Sequence, residues 1–507
     1  MNWSLVLKRN TEKYPDKECL IGLGKRYTYK QLSERVDSLA QSLLDIGIGK
    51  GDIVAILLYN CLEYIELSFA INRIGATWLP INFRLASPEF SYILGNSEAG
   101  TVITESEFVP AISSIKNELP SLKNFIRIGS DARDEGWIDY DGLIERNQGA
   151  NPPDVEVNIN DLQRLMYTSG TTAHPKGVMI SYGNLYWKNI GHILEFGITE
   201  VDRTLVVGPL YHCGGMDLPG TGTLYCGGSL VILKKFDTIE VLKAIDQEKV
   251  TNLWLSPAMT IMLFNEPAFD QYDVSSVRFL IDGGEKMPET LIEKFKEKFP
   301  TAWFADAYGL TETVSGDTFL AKDRMLNKIG SVGKPVAHLK VRILDSEEND
   351  VGPNETGEIC LKGPKVFMGY WKNPEATKEA MRGGWFHTGD VGMLDEDGFL
   401  YIKDRIKDMI ISGGENIAST EVEKIIYELP EVLETAVVGI PHPKWLEVPK
   451  AYVVLKEGGQ LTAEKIILHC AEKMAKFKVP KEIEFIDSLP RNPSGKVLKR
   501  QLREMHS

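Results

Sequence analysis

The chemistry of this chain is concentrated first in one short run, YTSGTTAHPKG, from Tyr167 to Gly177. Glycine lets backbone N–H groups converge on an anion, hydroxyls add donors, and Lys176 supplies a mobile point charge, so the run is suited to wrapping phosphates. Its order is not that of the Walker A loop. There the lysine follows the second glycine and a hydroxyl comes next, whereas here Lys176 precedes Gly177 and Val178 follows. A kinase or GTPase assignment therefore loses support. A flexible surface loop is the plain alternative, and the Pro175-Lys176-Gly177 ending argues against it. Further islands follow in order: PLYHCGG (209–215), DGGEKMP (282–288), YGLTE (308–312), TGD (388–390), KDRIKDMIISGGEN (403–416) and PRNPSGK (490–496).

Elements must hold these islands. Leu32, Val36, Leu39, Ala40, Leu43 and Leu44 recur at helical spacing, Thr28 and Gln31 can form a capping box, and Gly47 stands at the stop. An apolar strand is expected over 53–58, a helix over 63–74 and another strand ending at Pro80. Strand, helix, strand implies a parallel sheet. The alternation returns at 277–281, 288–299 and 303–305, which predicts layered α/β structure with more than one sheet. Near Asp404 to Asp408 the texture changes, so domains 1–406 and 407–507 are expected. In the second, helices over 420–427 and 463–474 with strands over 434–439 and 451–455 predict a small α+β fold. No internal repeat or low-complexity segment is visible.

Length and charge narrow the function. A chain of 507 residues predicts two to four domains. A formal charge of −14 is the wrong sign for counterion release from a duplex, so no nucleic-acid partner is expected. No apolar run reaches the length of a membrane span, and MNWSLVLKRNTEKYPDK carries charge too early for a signal peptide. Cys19, Cys61, Cys213, Cys226, Cys360 and Cys470 lack metal-ligand spacing, which predicts reduced thiols and a cytoplasmic location.

The ordered islands resemble the adenylate-forming (ANL) superfamily of acyl-CoA synthetases, peptide-synthetase adenylation domains and luciferases, over roughly residues 10 to 503. Within it the chain looks like the fatty or aryl acid CoA ligases. The resemblance implies a large multi-sheet N-terminal domain and a small mobile C-terminal one, with ATP, Mg²⁺ and coenzyme A as reactants and cofactor. In such enzymes a carboxylate attacks the α-phosphate of ATP, and a thiol then displaces AMP. Thr168, Ser169, Gly170, Thr171, Thr172 and Lys176 match the loop holding the β- and γ-phosphates; Ala173 departs from the usual glycine. Glu312 matches a Mg²⁺ ligand, in keeping with that ion's use of one or two carboxylates. Tyr308 matches the aromatic on adenine, with Thr311, Gly284 and Glu285 in the nucleotide site and Gly283 in the shared nucleotide and acyl wall. Asp390 and Arg405 match ribose contacts, and His212 the gate of the acid pocket. Lys496 matches the catalytic lysine that neutralises transition-state charge. Lys407 matches the hinge, and Gly413 and Gly414 the pantetheine channel. For these last two an ordinary turn pair is the plain alternative.

The acid and the acceptor follow from finer positions. α-Amino acid enzymes place an aspartate where this chain has Cys213, so amino acids are disfavoured. The glycines between Cys213 and Gly228 suggest room for an apolar acyl group, while Ala307 narrows the pocket; Asp217 has no assignment. FKVPKEIEFIDSLPRNPSGK resembles CoA ligases, which makes free CoA the expected acceptor. Carrier-protein loading and a nucleotide-binding pseudoenzyme are the alternatives. The oligomeric state does not follow from these residues.

Overall fold

The computed structural model describes residues 2–129, 136–168, 175–283, 289–412, 415–491 and 496–506. The chain divides into two compact units, Met1–Lys340 with Lys362–Phe386, and Val341–Leu361 with His387–Ser507.

The first unit contains two sheets. In the seven-stranded sheet the order is Ile138–Asp139, Asn124–Ile128, Thr101–Glu105, Ile53–Leu57, Thr77–Pro80, Leu162–Thr168 and Lys176–Ser181. Its strands are parallel except the last, Lys176–Ser181, which forms an antiparallel hairpin with Leu162–Thr168. Ala55, Leu57, Leu79, Val102 and Leu165 are wholly buried beneath it, as strands covered on both faces require. The nine-stranded sheet has a parallel centre ordered Trp303–Tyr308, Phe279–Gly283, Asn252–Leu255, Arg203–Val206, Ser229–Ile232 and Glu18–Gly22. Antiparallel strands cap both of its edges.

Local signals act as the sequence predicts. The helix Tyr29–Asp45 begins with Gln31 N donating to Thr28 Oγ1 at 3.2 Å and Thr28 N to Gln31 Oε1 at 2.9 Å. It buries Leu32, Val36, Leu39, Ala40 and Leu43, and the chain leaves through Gly47 at φ 85°. Both parallel segments contain the anticipated strands, but the first lies at Phe279–Gly283 and the second runs on through Trp303–Tyr308 to the first residue of the YGLTE island.

In the second unit one four-stranded sheet is ordered Lys340–Leu344, Gly357–Lys362, Phe386–Leu394 and Leu400–Arg405, the last two strands antiparallel. Another is built on the long antiparallel pair Val432–His442 and Leu446–Leu455, with Ile410–Ser412, Glu415–Ile417 and Glu482–Phe485 added. Helices Ser419–Tyr427 and Ala463–Lys473 bury Val422, Ile426, Ile466 and Cys470 against it. The short turn Ile406–Asp408 joins these two sheets. All six cysteines are unbridged. Among the described residues, no helix is long and apolar enough to cross a membrane.

Candidate functional site

The strands Leu162–Thr168 and Lys176–Ser181, which flank the run expected to wrap phosphates, form the antiparallel hairpin at one edge of the seven-stranded sheet. Thr168 and Lys176 are register partners across it, so their separation is set by the ladder. Ser169, Gly170, Thr171 and Thr172 lie outside the described residues. Lys176 places its ammonium 4.9 Å from the centre of the Tyr370 ring. Tyr370 in turn donates its hydroxyl to Glu312 Oε1 at 3.0 Å. Burial, reinforced by the neighbouring Glu312 charge, pushes the Tyr370 phenol well up, which keeps that hydroxyl a donor. Backbone contacts lock the arrangement: Trp371 N donates to Gly177 O and Phe367 N to Glu312 O, both at 2.7 Å. A lysine and a carboxylate from distant islands thus share one aromatic between them.

Glu312 is aimed by a strained turn. It lies in the helical turn Thr311–Thr313, and Val314, Ser315 and Gly316 all follow in the left-handed region at φ 58°, 62° and 62°. What holds this turn is buried. Asp317 accepts from Thr313 Oγ1 at 2.5 Å and pairs with Lys365 Nζ at 2.9 Å. Lys365 also donates to Ser315 O at 2.8 Å and Gly316 O at 2.6 Å. Burial and the nearby Lys188 and Lys365 charges press the His192 pKa far down, so it is neutral and donates Nε2–H to Gly316 O at 2.9 Å. Tyr308 ends the strand that leads into the turn.

Gly283 and Ala307 are register partners at the ends of adjacent parallel strands, where open α/β sheets offer ligand crevices. A side chain at Gly283 would stand 2.6 Å from the Ala307 carbonyl oxygen, so only glycine permits this approach. Gly284 and Glu285 lie outside the described residues.

His212 caps the helical turn Cys213–Met216, its Nδ1 accepting from Gly214 N at 3.0 Å. Its ring lies 6.2 Å from Trp254 and nearly parallel to it. Cys213 is buried with Sγ 3.7 Å from Thr311 Oγ1, which joins the expected acid pocket to the YGLTE island. The glycine run behaves differently from the expectation. A Cβ at Gly214 would meet Trp254 at 2.8 Å and one at Gly215 the Pro209 carbonyl at 2.2 Å, so these glycines serve close packing rather than an open cleft. Asp217, unassigned from sequence, is wholly buried and paired with Arg164 at 2.7 Å. Lys188 donates to the Asp217 carbonyl and to Thr221 Oγ1. Burial draws its ammonium down to about 7.

The second unit holds its own group. Asp390 and Arg405 are register partners, with Oδ1 3.2 Å from Nε. Lys407 is exposed in the joining turn, where Arg503 donates to its carbonyl at 3.2 Å and to Asp408 Oδ1 at 3.0 Å. The basic C-terminal residues are therefore not merely a solvated tail, for Lys499 also pairs with Glu423 at 2.7 Å. Lys496 is exposed beside a short bridge between Arg491 and Val497. Gly413 and Gly414 lie outside the described residues. Glu358, Cys360 and His387 bring their donor atoms within 4.8 Å of one another.

Tyr370, Lys365, Arg164, Glu358 and Arg503 were not legible as site residues. Only the MGYW run, with an aromatic pair after a glycine, offered a local signal for Tyr370.

The comparisons agree with this geometry. The family described as AMP-binding enzyme matches residues 7–371, and its C-terminal domain matches residues 421–496. A feruloyl-CoA synthase of Amycolatopsis sp is 38% identical over 95% of this chain and 94% of that protein. An indoleacetate–CoA ligase of Aromatoleum aromaticum is 35% identical over 100% of this chain and 98% of its own. Among solved structures, an anthranilate CoA ligase in complex with anthranoyl-AMP superimposes with TM-score 0.92 at 28% identity, covering 100% and 97% of the two chains. An o-succinylbenzoate coenzyme A synthetase from Bacillus subtilis, in complex with ATP and magnesium ion, gives TM-score 0.88 at 32% identity over 99% of each. Matches to both family domains, over residues 7–371 and 421–496, together with relatives 35–38% identical along nearly the whole chain, place it in the AMP-binding enzyme family, in its adenylate-forming acyl-CoA synthetase branch.

Proposed function

We propose that this chain is an ATP-dependent acid:CoA ligase that activates an apolar carboxylic acid as acyl-AMP and then forms the acyl-CoA thioester. The observation that carries the proposal is the joining of Lys176 and Glu312 through Tyr370, which gathers a cation and a hard anionic oxygen beside the phosphate hairpin. In the first half-reaction a substrate carboxylate oxygen bonds to the α-phosphorus as the bond to pyrophosphate breaks. Thr168, Lys176 and the loop Ser169, Gly170, Thr171 and Thr172 hold the outer phosphates. Tyr308 and Thr311, with Gly284 and Glu285, hold the adenine side, and Asp390 with Arg405 holds the ribose. Glu312 fits Mg²⁺ by the chemistry of its donor, since that ion takes one or two carboxylates together with phosphate oxygens and water. When bound, Mg²⁺ supplies charge neutralisation at the phosphates. Lys496 neutralises the charge growing between carboxylate and α-phosphate, a term worth most where donors are fixed in advance. The C-terminal part of the chain, residues 407–507, then turns about Lys407 relative to residues 1–406, which keep the Asp390 and Arg405 contacts to the ribose. Gly413 and Gly414 admit the CoA thiol, which attacks the acyl carbonyl as AMP leaves.

The acid is fatty, alicyclic or aromatic, with the aromatic class favoured by the feruloyl, indoleacetate and anthranilate ligases that the chain is similar to. His212, Cys213, Gly283 and Ala307 line its pocket. Asp217 and Asp317 are each committed to a buried cation, Arg164 and Lys365, which supports exclusion of α-amino acids because a buried ammonium without a partner is costly. The test is a panel of acids assayed with ATP and CoA for AMP and thioester. Benzoates, arylacetates or octanoate should support CoA-dependent AMP release. Preference for any α-amino acid overturns the acid assignment. Acid-dependent pyrophosphate exchange without CoA-dependent AMP release indicates a carrier-loading enzyme, and no exchange indicates a pseudoenzyme.

A further inference from the structure

We propose that Glu358 is a positioning residue for ribose recognition, acting through the turn Thr388-Gly389-Asp390. The proposal rests on the assignment of Asp390 to the ribose hydroxyls. Glu358 lies on the strand Gly357–Lys362, which neighbours the strand Phe386–Leu394 that carries the turn. One carboxylate grips the chain on both sides of Thr388: Oε1 accepts from Gly389 N at 3.0 Å and Oε2 from His387 Nδ1 at 2.8 Å. Both side chains are largely out of water, at 13% exposure for Glu358 and 3% for His387.

The rest of the turn is tied to the same strand. Thr388 Oγ1 donates to Ile359 O at 2.7 Å and accepts from Asp390 N at 3.1 Å. Gly389 takes φ 73°, a left-handed conformation that a side chain would resist. Cys360, two residues beyond Glu358 and wholly buried, sets its Sγ 3.3 Å from His387 Nδ1. His387 Nδ1 directs its one proton to the Glu358 carboxylate at 2.8 Å, with the Cys360 sulfur beside it at 3.3 Å. The outcome is that Asp390 leaves the turn in a fixed direction and meets Arg405 at 3.2 Å. An ionised carboxylate can accept from both donors at once, whereas an amide has one oxygen and must lose one of them.

The experiment compares ATP with 2′-deoxy-ATP in acid-dependent pyrophosphate release by the full-length enzyme, reading the ratio of kcat/KM for the two nucleotides. A loss of folded protein lowers both values equally and leaves the ratio alone. Asp390→Asn should bring the ratio close to one. Glu358→Ala should lower it about tenfold, the scale of one lost hydrogen bond to a buried group, and Glu358→Gln should lower it by less. Should Glu358→Ala not fold, Glu358→Gln alone decides, by a ratio below that of wild type. If Asp390→Asn leaves the ratio unchanged, the ribose assignment fails. If Asp390→Asn abolishes it while the Glu358 variants keep the wild-type ratio, Glu358 does not position the turn.

Discussion

Arg164 and Asp217 meet at 2.7 Å inside the first unit with side chains only 1% and 0% exposed. Arg164 also stacks on Trp78, 5.4 Å from the ring centre, while Asp217 opens the kinked segment after Cys213–Met216. The pair therefore anchors the segment behind the expected acid pocket to the seven-stranded sheet. Asp217→Ala leaves a buried guanidinium uncompensated and should cost about 3–5 kcal/mol, whereas Arg164→Met with Asp217→Leu should recover most of it. Urea unfolding of the three proteins decides this. A loss of under about 1 kcal/mol in the single variant means the pair contributes little.

Lys188 makes stability depend on pH. Burial holds its folded-state pKa at about 7, below the ordinary 10.5 of an unfolded chain. Between these values the unfolded state binds the extra proton, so the contribution of Lys188 becomes more favourable as pH rises from 7 towards 10.5. Below pH 7 the penalty is fully present. Thermal unfolding of wild type and Lys188→Met at pH 7 and pH 9 should show wild type gaining relative to the variant at the higher pH. A constant difference refutes the depressed ammonium.

Tyr370→Phe keeps the ring beneath Lys176 and removes the hydroxyl from Glu312. Adenylation should fall about tenfold, the scale of one hydrogen bond to a charged group, with a higher Mg²⁺ concentration needed for half-maximal rate. Pyrophosphate release titrated with Mg²⁺ measures both. An unchanged titration would mean that Glu312 is aimed by the backbone turn alone.

Lys496→Ala should lose about 10²–10³ in adenylation, the range for one preorganised transition-state donor. Thioester formation from supplied acyl-adenylate should change little. Equal losses in both half-reactions would assign the residue a structural role.

Lys407→Pro tests the hinge. Rotation requires the backbone of the hinge residue to change, and proline fixes φ near −65°. Such a variant should keep one half-reaction near wild type and lose orders of magnitude in the other, read as pyrophosphate release and as CoA consumption from synthetic acyl-adenylate. Two wild-type rates in a folded variant place the rotation elsewhere.

Much of the architecture was legible from local spacing. The capping box of Thr28 and Gln31, the apolar stripe from Leu32 to Leu43 and the strands at 53, 77, 279 and 303 are short-range patterns, and burial of those faces enforces them. The chemical content of the phosphate run and of Glu312, Asp390, Arg405 and Lys496 was likewise available as residue type and order. What tertiary structure alone decided is pairing at long range. Tyr370 lies 58 residues from Glu312, and no local period marks the two as partners. Asp217 had no meaning until Arg164, 53 residues away, was seen against it. The glycines after Cys213 suggested space by their lack of side chains, but whether a glycine leaves a void or admits a neighbour depends on what packs there, and here Trp254 and the Pro209 carbonyl fill the space. Sequence specifies which groups can do chemistry; the sheet registers and buried ion pairs decide which of them meet, because contact free energy depends on distance in space and not along the chain.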